Sequence, residues 1–185
     1  MMAILLLFVL IFPILKHSSL KVVFVCIVVL LFSFWTFERN KVWNDKITLW
    51  GDCAAKSPGK ARPHNNLGVA LKKQGRVHEA IEHFKQTIDL DPQFTEAYNN
   101  LGNSYMKIAR SEEAIKQYKL ALSIAPEEPR IHMNLGNALA KSWQLKKALL
   151  HYGEALRLTP DNEEAKLNFL SAQRMLNARK SRTKP

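Results

Sequence analysis

At 185 residues, with 27 Lys and Arg against 16 Asp and Glu and a net charge of +11, the chain has room for one ordinary domain and an appendage. Its two cysteines, Cys26 and Cys53, exclude a disulfide framework and lack ligand-type spacing. The basic balance suits nucleic acid, an anionic lipid surface or acidic peptides, but no basic motif interleaved with aromatics occurs, which disfavours nucleic acid.

The charge is unevenly placed. Residues 1–37 carry only Lys16 and Lys21, and every acidic residue lies from Glu38 onward. Ala3 to Leu15 is an uninterrupted apolar run containing Pro13, and Val22 to Phe37 is a second, polar only at Ser33 and Thr36. As a helix the second run measures about 24 Å at ~1.5 Å per residue. With Leu20, a snorkelling Lys21, Trp35 and Phe37 it is expected to span a membrane. Residues 1–37 therefore read as a membrane segment, either a two-helix hairpin or a signal-anchor with two apolar halves. A hairpin puts the turn Lys16–Lys21 in the cytoplasm and the body outside. A single span, with Arg39, Lys41 and Lys46 beyond it, puts the body inside.

Residues 38–60 form a junction. Asp45 is placed to cap a helix that Pro58 stops, with Trp50 and Cys53 on one face. From there the chain repeats itself. His64-Asn65-Asn66-Leu67-Gly68 returns 34 residues later as Tyr98-Asn99-Asn100-Leu101-Gly102, and after the same interval as His132-Met133-Asn134-Leu135-Gly136. Each copy is followed by Ala80, Phe84 and Pro92, by Ala114, Tyr118 and Pro126, or by Ala148, Tyr152 and Pro160. Stripes such as His64, Leu67, Leu71 and Ala80, Ile81, Phe84, Ile88 have helical spacing. Each unit is thus a helix pair, with glycine and alanine removing bulk where the two helices cross. Trp50 and Pro58 fall in the slots of Phe84 and Pro92, so Asp45 to Ser57 reads as a half-repeat. Glu163 to Ala178 (residues 163–178) reads as a capping helix, and residues 179–185 as a frayed basic tail. Between the helices of the second unit, Ala109-Arg110-Ser111 has neither a glycine nor an apolar residue where Val77 and Leu145 sit; it is expected to be the least stable turn.

These residues resemble tetratricopeptide repeats, with Leu-Gly, Ala, aromatic and Pro in register in units 61–94, 95–128 and 129–162. The resemblance implies an all-α solenoid over residues 61–162, preceded by one or two transmembrane helices. It also implies a groove lined by the first helix of each unit. The sixth position recurs as Asn66, Asn100, Asn134 and Asn168, the ninth gives Asn103 and Asn137, and the thirteenth gives Lys73, Lys107 and Lys141. An amide donates and accepts, so such a row can pair with the main chain of an extended peptide. The row is similar to the asparagine ladder of O-GlcNAc transferases, and the lysines suit acidic residues. The same asparagines can instead bond neighbouring helices, with the lysines a solvated face. The two-carboxylate clamp of chaperone-binding repeats needs lysine at the fifth position and asparagine at the ninth of the first unit. Asn65 and Val69 stand there.

No phosphate-cradling loop, zinc motif or nucleophile elbow occurs, so no cofactor, metal or catalytic residue is indicated. Glu79, Glu82 and His83 crowd one helix without a second cluster to complete a metal site, and read as exposed surface. The layout of a basic turn, a last span, Arg39-Asn40-Lys41-Val42-Trp43-Asn44-Asp45, Thr48-Leu49-Trp50 and then repeats resembles the C-terminal end of the transmembrane-and-tetratricopeptide O-mannosyltransferases. That implies an extracytoplasmic repeat domain, in periplasm or lumen, without catalysis of its own, because the acidic residues of that family's catalytic loop have no counterpart in residues 1–37. Two functions follow: a membrane-anchored adaptor binding an extended protein segment, or the substrate-binding end of a polytopic glycosyltransferase.

Overall fold

A computed structural model describes residues 18–182. The chain divides into two units, Met1–Leu49 and Trp50–Pro185. In the first, α1 (Ser18–Asn44) carries the second apolar run through the predicted span and on into the junction. Many of its apolar side chains are exposed, Val22, Leu30 and Phe34 by about two-thirds at 64%, 68% and 66%, while Phe24, Val28 and Phe32 are half-buried. Among the described residues no helix is long and apolar enough to cross a membrane. The expected span is thus not shown among these residues. The run Ala3 to Leu15 lies outside the described residues. As anticipated, Asp45 caps α2 (Lys46–Lys56): its carboxylate accepts from the backbone N–H groups of Ile47 and Thr48, both at 3.2 Å.

The second unit is the solenoid. Three helix pairs follow one another: α3 (Ala61–Lys73) with α4 (Val77–Leu90), α5 (Thr95–Lys107) with α6 (Ser111–Ile124), and α7 (Pro129–Lys141) with α8 (Leu145–Leu158). Each helix packs on its partner and on the next in sequence, and α9 (Glu163–Arg182) closes the stack against α8. The capping helix runs through Arg182 rather than ending near Ala178. No glycine or proline interrupts it before Pro185, and residues 179–182 are helical rather than a frayed tail.

The core is built from the repeated slots. Leu67, Leu101 and Leu135 are buried, and Ala80, Ala114 and Ala148 are fully so. The aromatic of each second helix lies against the glycine of the first. A Cβ added at Gly68, Gly102 or Gly136 would sit 2.7, 2.5 or 2.6 Å from a ring carbon of Phe84, Tyr118 or Tyr152. Glycine is less favourable than alanine inside a helix by about 0.8–1 kcal/mol, yet here alanine has no room.

The inter-helix turns differ as the sequence suggested, with one addition. The turn residue has a left-handed backbone in all three units, at Gly75 (φ 83°), Ala109 (φ 60°) and Trp143 (φ 57°). Only glycine adopts this without strain, so the third turn carries the same penalty as the second. What separates them is anchorage: Val77 and Leu145 are buried beside their turns, while Ser111 is only half-buried.

Candidate functional site

The first helices, α3, α5 and α7, carry the predicted asparagine and lysine rows. The structure splits the asparagines into bonded pairs. Asn100 Nδ2 donates to Asn65 Oδ1 at 3.2 Å, and Asn134 Nδ2 donates to Asn99 Oδ1 at 2.9 Å. The sixth position of one unit thus bonds the fifth position of the unit before it. Met133 removes that partner in the third unit, and Asn168 Nδ2 donates instead to Asn137 Oδ1 at 3.1 Å. Asn65, Asn99 and Asn100 are buried. A buried amide must find a partner, and these find one another across the repeat boundary. Asn66 has no earlier unit to bond, is half-buried, and has no partner among the described residues.

The ninth position has a different task. Tyr118 OH donates to Asn103 Oδ1 and Tyr152 OH to Asn137 Oδ1, each at 2.7 Å. In the first unit the slots hold Val69 and Phe84, an apolar pair with nothing to satisfy. The two positions change together within one chain because a buried hydroxyl needs an acceptor. Burial raises the pKa of both phenols; for Tyr152, with Glu164 nearby as the lesser cause, it is pushed up to about 12.

Two of the predicted lysines, Lys73 and Lys107, meet in one place. Lys72, Lys73, Asn103, Met106 and Lys107 line a surface cavity of about 450 Å³. Lys72, which the sequence reading passed over, is central. Its Nζ donates to Asn100 Oδ1 at 3.2 Å and lies 5.7 Å from the centre of the Phe84 ring. Lys107 Nζ in turn donates to the Lys72 carbonyl oxygen at 3.2 Å. Burial, then the charges of Lys107, Lys73 and Arg130, hold the Lys72 pKa below the usual lysine value, with Glu96 opposing. Lys73 and Lys107 belong to this cluster, whereas Lys141 is exposed and lines no part of the cavity. Periodicity hid Lys72, because its slot holds Met106 and Ala140 in the other units. The doublet Lys72-Lys73 was the one available signal.

Three matches to family models run through these repeats. Residues 68–108 match a TPR repeat model, and residues 95–128 and 129–162 each match a tetratricopeptide repeat model. The chain belongs to the tetratricopeptide repeat proteins. Over 80 residues it is 31% identical to the human protein O-mannosyl-transferase TMTC1, covering 43% of this chain and 9% of that protein. The match thus spans less than a tenth of the relative's length. Among solved structures, a crystal structure of MamA protein superposes with a TM-score of 0.69 at 20% identity, covering 78% of this chain and 80% of that one. The first TPR of Spaghetti (RPAP3), bound to the HSP90 peptide SRMEEVD, superposes with a TM-score of 0.63 at 24% identity, covering 64% and 94%. These two likenesses establish the fold.

The tyrosine–asparagine pairs make a direct prediction. Tyr118→Phe strands the Asn103 carbonyl and lowers stability in denaturant unfolding by about 1 kcal/mol. Adding Asn103→Val rebuilds the first unit's apolar pair and recovers most of the loss. A double variant that loses the sum of both single changes contradicts the pairing.

Proposed function

We propose that this chain is a membrane-anchored, non-catalytic scaffold whose repeats bind an extended acidic segment of a partner protein along the face of Lys72, Lys73, Lys107 and Asn103. One observation carries this reading: Lys72, Lys73 and Lys107 line one surface cavity, where burial and like-charge repulsion from the neighbouring cations hold the Lys72 pKa below the usual lysine value. An arriving carboxylate relieves that repulsion and gains charge-assisted hydrogen bonds. The Asn103 amide N–H groups, without a partner among the described residues, are left to meet carbonyls of an extended main chain. The like-folded RPAP3 domain carries a peptide whose sequence ends in two glutamates, a valine and an aspartate. Capture of a terminal carboxylate in a two-carboxylate clamp is not part of the proposal. Asn65 is buried in its pair with Asn100, and Val69 offers no donor.

Calorimetric titration of the full chain in detergent with SRMEEVD and with SRMQQVN, which lacks its acidic side chains, tests this. The acidic peptide binds and the amide peptide does not, and binding weakens as salt rises. Lys72→Met and Lys107→Met each lower affinity by about tenfold or more, the worth of a hydrogen bond to a charged group, with the thermal midpoint retained. Equal binding of both peptides overturns the proposal.

The anchoring part rests on α1. A helix apolar on all faces, with Val22, Val23, Ile27, Leu30, Leu31 and Phe34 half or more exposed, is unfavourable in water and suits lipid. Lys21 at one end and Trp35 and Phe37 at the other are residues that extend such a run to the interfaces. By resemblance of layout, the repeats face away from the cytoplasm. Sealed membrane vesicles of known sidedness should hold the chain through an alkaline wash and shield the repeats from protease added on the cytoplasmic side. Release by the wash sinks the anchor, and digestion reverses the orientation.

A second reading is favoured by the match to TMTC1: the repeats would be the substrate-binding part of a glycosyltransferase whose catalysis resides elsewhere. It uses the same groove.

A further inference from the structure

Away from the lysine cluster, one constellation occurs twice. His64 on α3 meets His83 on α4 with their Nδ1 atoms 3.4 Å apart, and His132 on α7 meets His151 on α8 at 3.1 Å. The ring planes differ by 27° and 28°, and the ring centres lie 5.6 and 5.4 Å apart. Those separations match the nitrogen–nitrogen distance plus two ring radii, so the rings meet head to head. The outer nitrogen of the first ring is held alike in both pairs: His64 Nε2 lies 3.2 Å from the Pro58 carbonyl oxygen, and His132 Nε2 lies 2.9 Å from that of Pro126. The middle unit has Tyr98 and Gln117 in these slots.

The proton positions follow from what each atom can do. A carbonyl oxygen only accepts, so His64 and His132 carry their proton on Nε2 and present a bare Nδ1. The bond across each pair then needs the proton on Nδ1 of His83 and of His151. One proton then serves each pair, shared at His83 with Gln86 Oε1, 3.1 Å from the same Nδ1, and a second would set two N–H groups head-on.

We propose that these two imidazole pairs form an acid-sensitive latch, which ties the first helix to the second in the outer two units at neutral pH and opens on acidification. The surrounding charges leave the effect intact. Burial and His64 depress the His83 pKa against the opposing pull of Gln86, 3.1 Å away, and of Glu79 and Glu82. Burial, His132 and Lys119 from α6 depress that of His151, with Glu154 opposing. A pKa lower in the folded than in the unfolded chain makes the unfolded chain the better proton acceptor. The latch is therefore complete above the ordinary histidine value of 6.5 and is lost as pH falls below it toward the depressed values. Ordinary carboxylates titrate below this window.

Thermal unfolding of the full chain in detergent between about pH 7.5 and pH 5 tests the latch. It is compared with a variant that copies the middle unit: His64→Tyr, His83→Gln, His132→Tyr and His151→Gln. The wild-type midpoint falls by several degrees over the interval while the variant's stays level; equal slopes overturn the proposal. Nitrogen-15 NMR of the imidazoles at neutral pH gives a readout that needs no variant. Nε2–H at His64 and His132 together with Nδ1–H at His83 and His151 supports the latch, and Nε2–H at all four overturns it.

Discussion

The approach of a glycine to an aromatic ring, made three times, is the constraint on which the rest of the solenoid depends. At Gly68, Gly102 and Gly136 the first helix comes so near the ring of Phe84, Tyr118 or Tyr152 that a single added carbon would overlap it. This closeness buries the ring at the helix crossing and lets Ala80, Ala114 and Ala148 lie with no exposed surface. It also sets how the first helices follow one another, and hence which asparagine meets which. A tyrosine hydroxyl reaches Asn103 or Asn137 because its ring is pressed against the helix that carries them.

The asparagine ladder shows how a repeated residue can be read correctly as repeated while its bonding partner stays open. Its period marked the sixth position as special, and a groove lining and a helix-to-helix bond both fitted that period. The deciding fact is the fifth position. Asn65 and Asn99 are buried and supply the carbonyls that Asn100 and Asn134 need, while Met133 breaks the pattern and sends Asn168 to Asn137. These pairs tie each unit to the next through interior polar bonds, which penalises a slipped stack more than apolar contacts do. Asn66 and the Nδ2 ends of Asn103 and Asn137 are left without a partner among the described residues.

Most of the solenoid was legible because its determinants are local and recur: a Leu-Gly step, a small residue, an aromatic and a proline, at a fixed interval. What escaped depends on contacts between units or on single occurrences. Lys72 matters because Lys107 and Asn100 lie beside it, and no internal copy announces it. His64 and His132 read as departures from an aromatic slot, and His83 as part of an exposed surface. Only the fold brings His64 to His83 and His132 to His151. Trp143 shares the strained backbone of Ala109, although its turn is anchored by the buried Leu145. In the first unit the apolar run of α1 was visible in composition.

The measurement that bears most directly on this account is a double-mutant cycle between Gly102→Ala and Tyr118→Ala, read by denaturant unfolding at equilibrium. If the glycine serves the ring, Gly102→Ala destabilises the protein by about 1–3 kcal/mol while Tyr118 is present, as overpacking does. With the ring removed, the same change becomes neutral or stabilising by up to ~1 kcal/mol, the helix preference of alanine over glycine. If the two changes simply add, the close approach does not govern the stack, and the account of how the helices are held together is wrong.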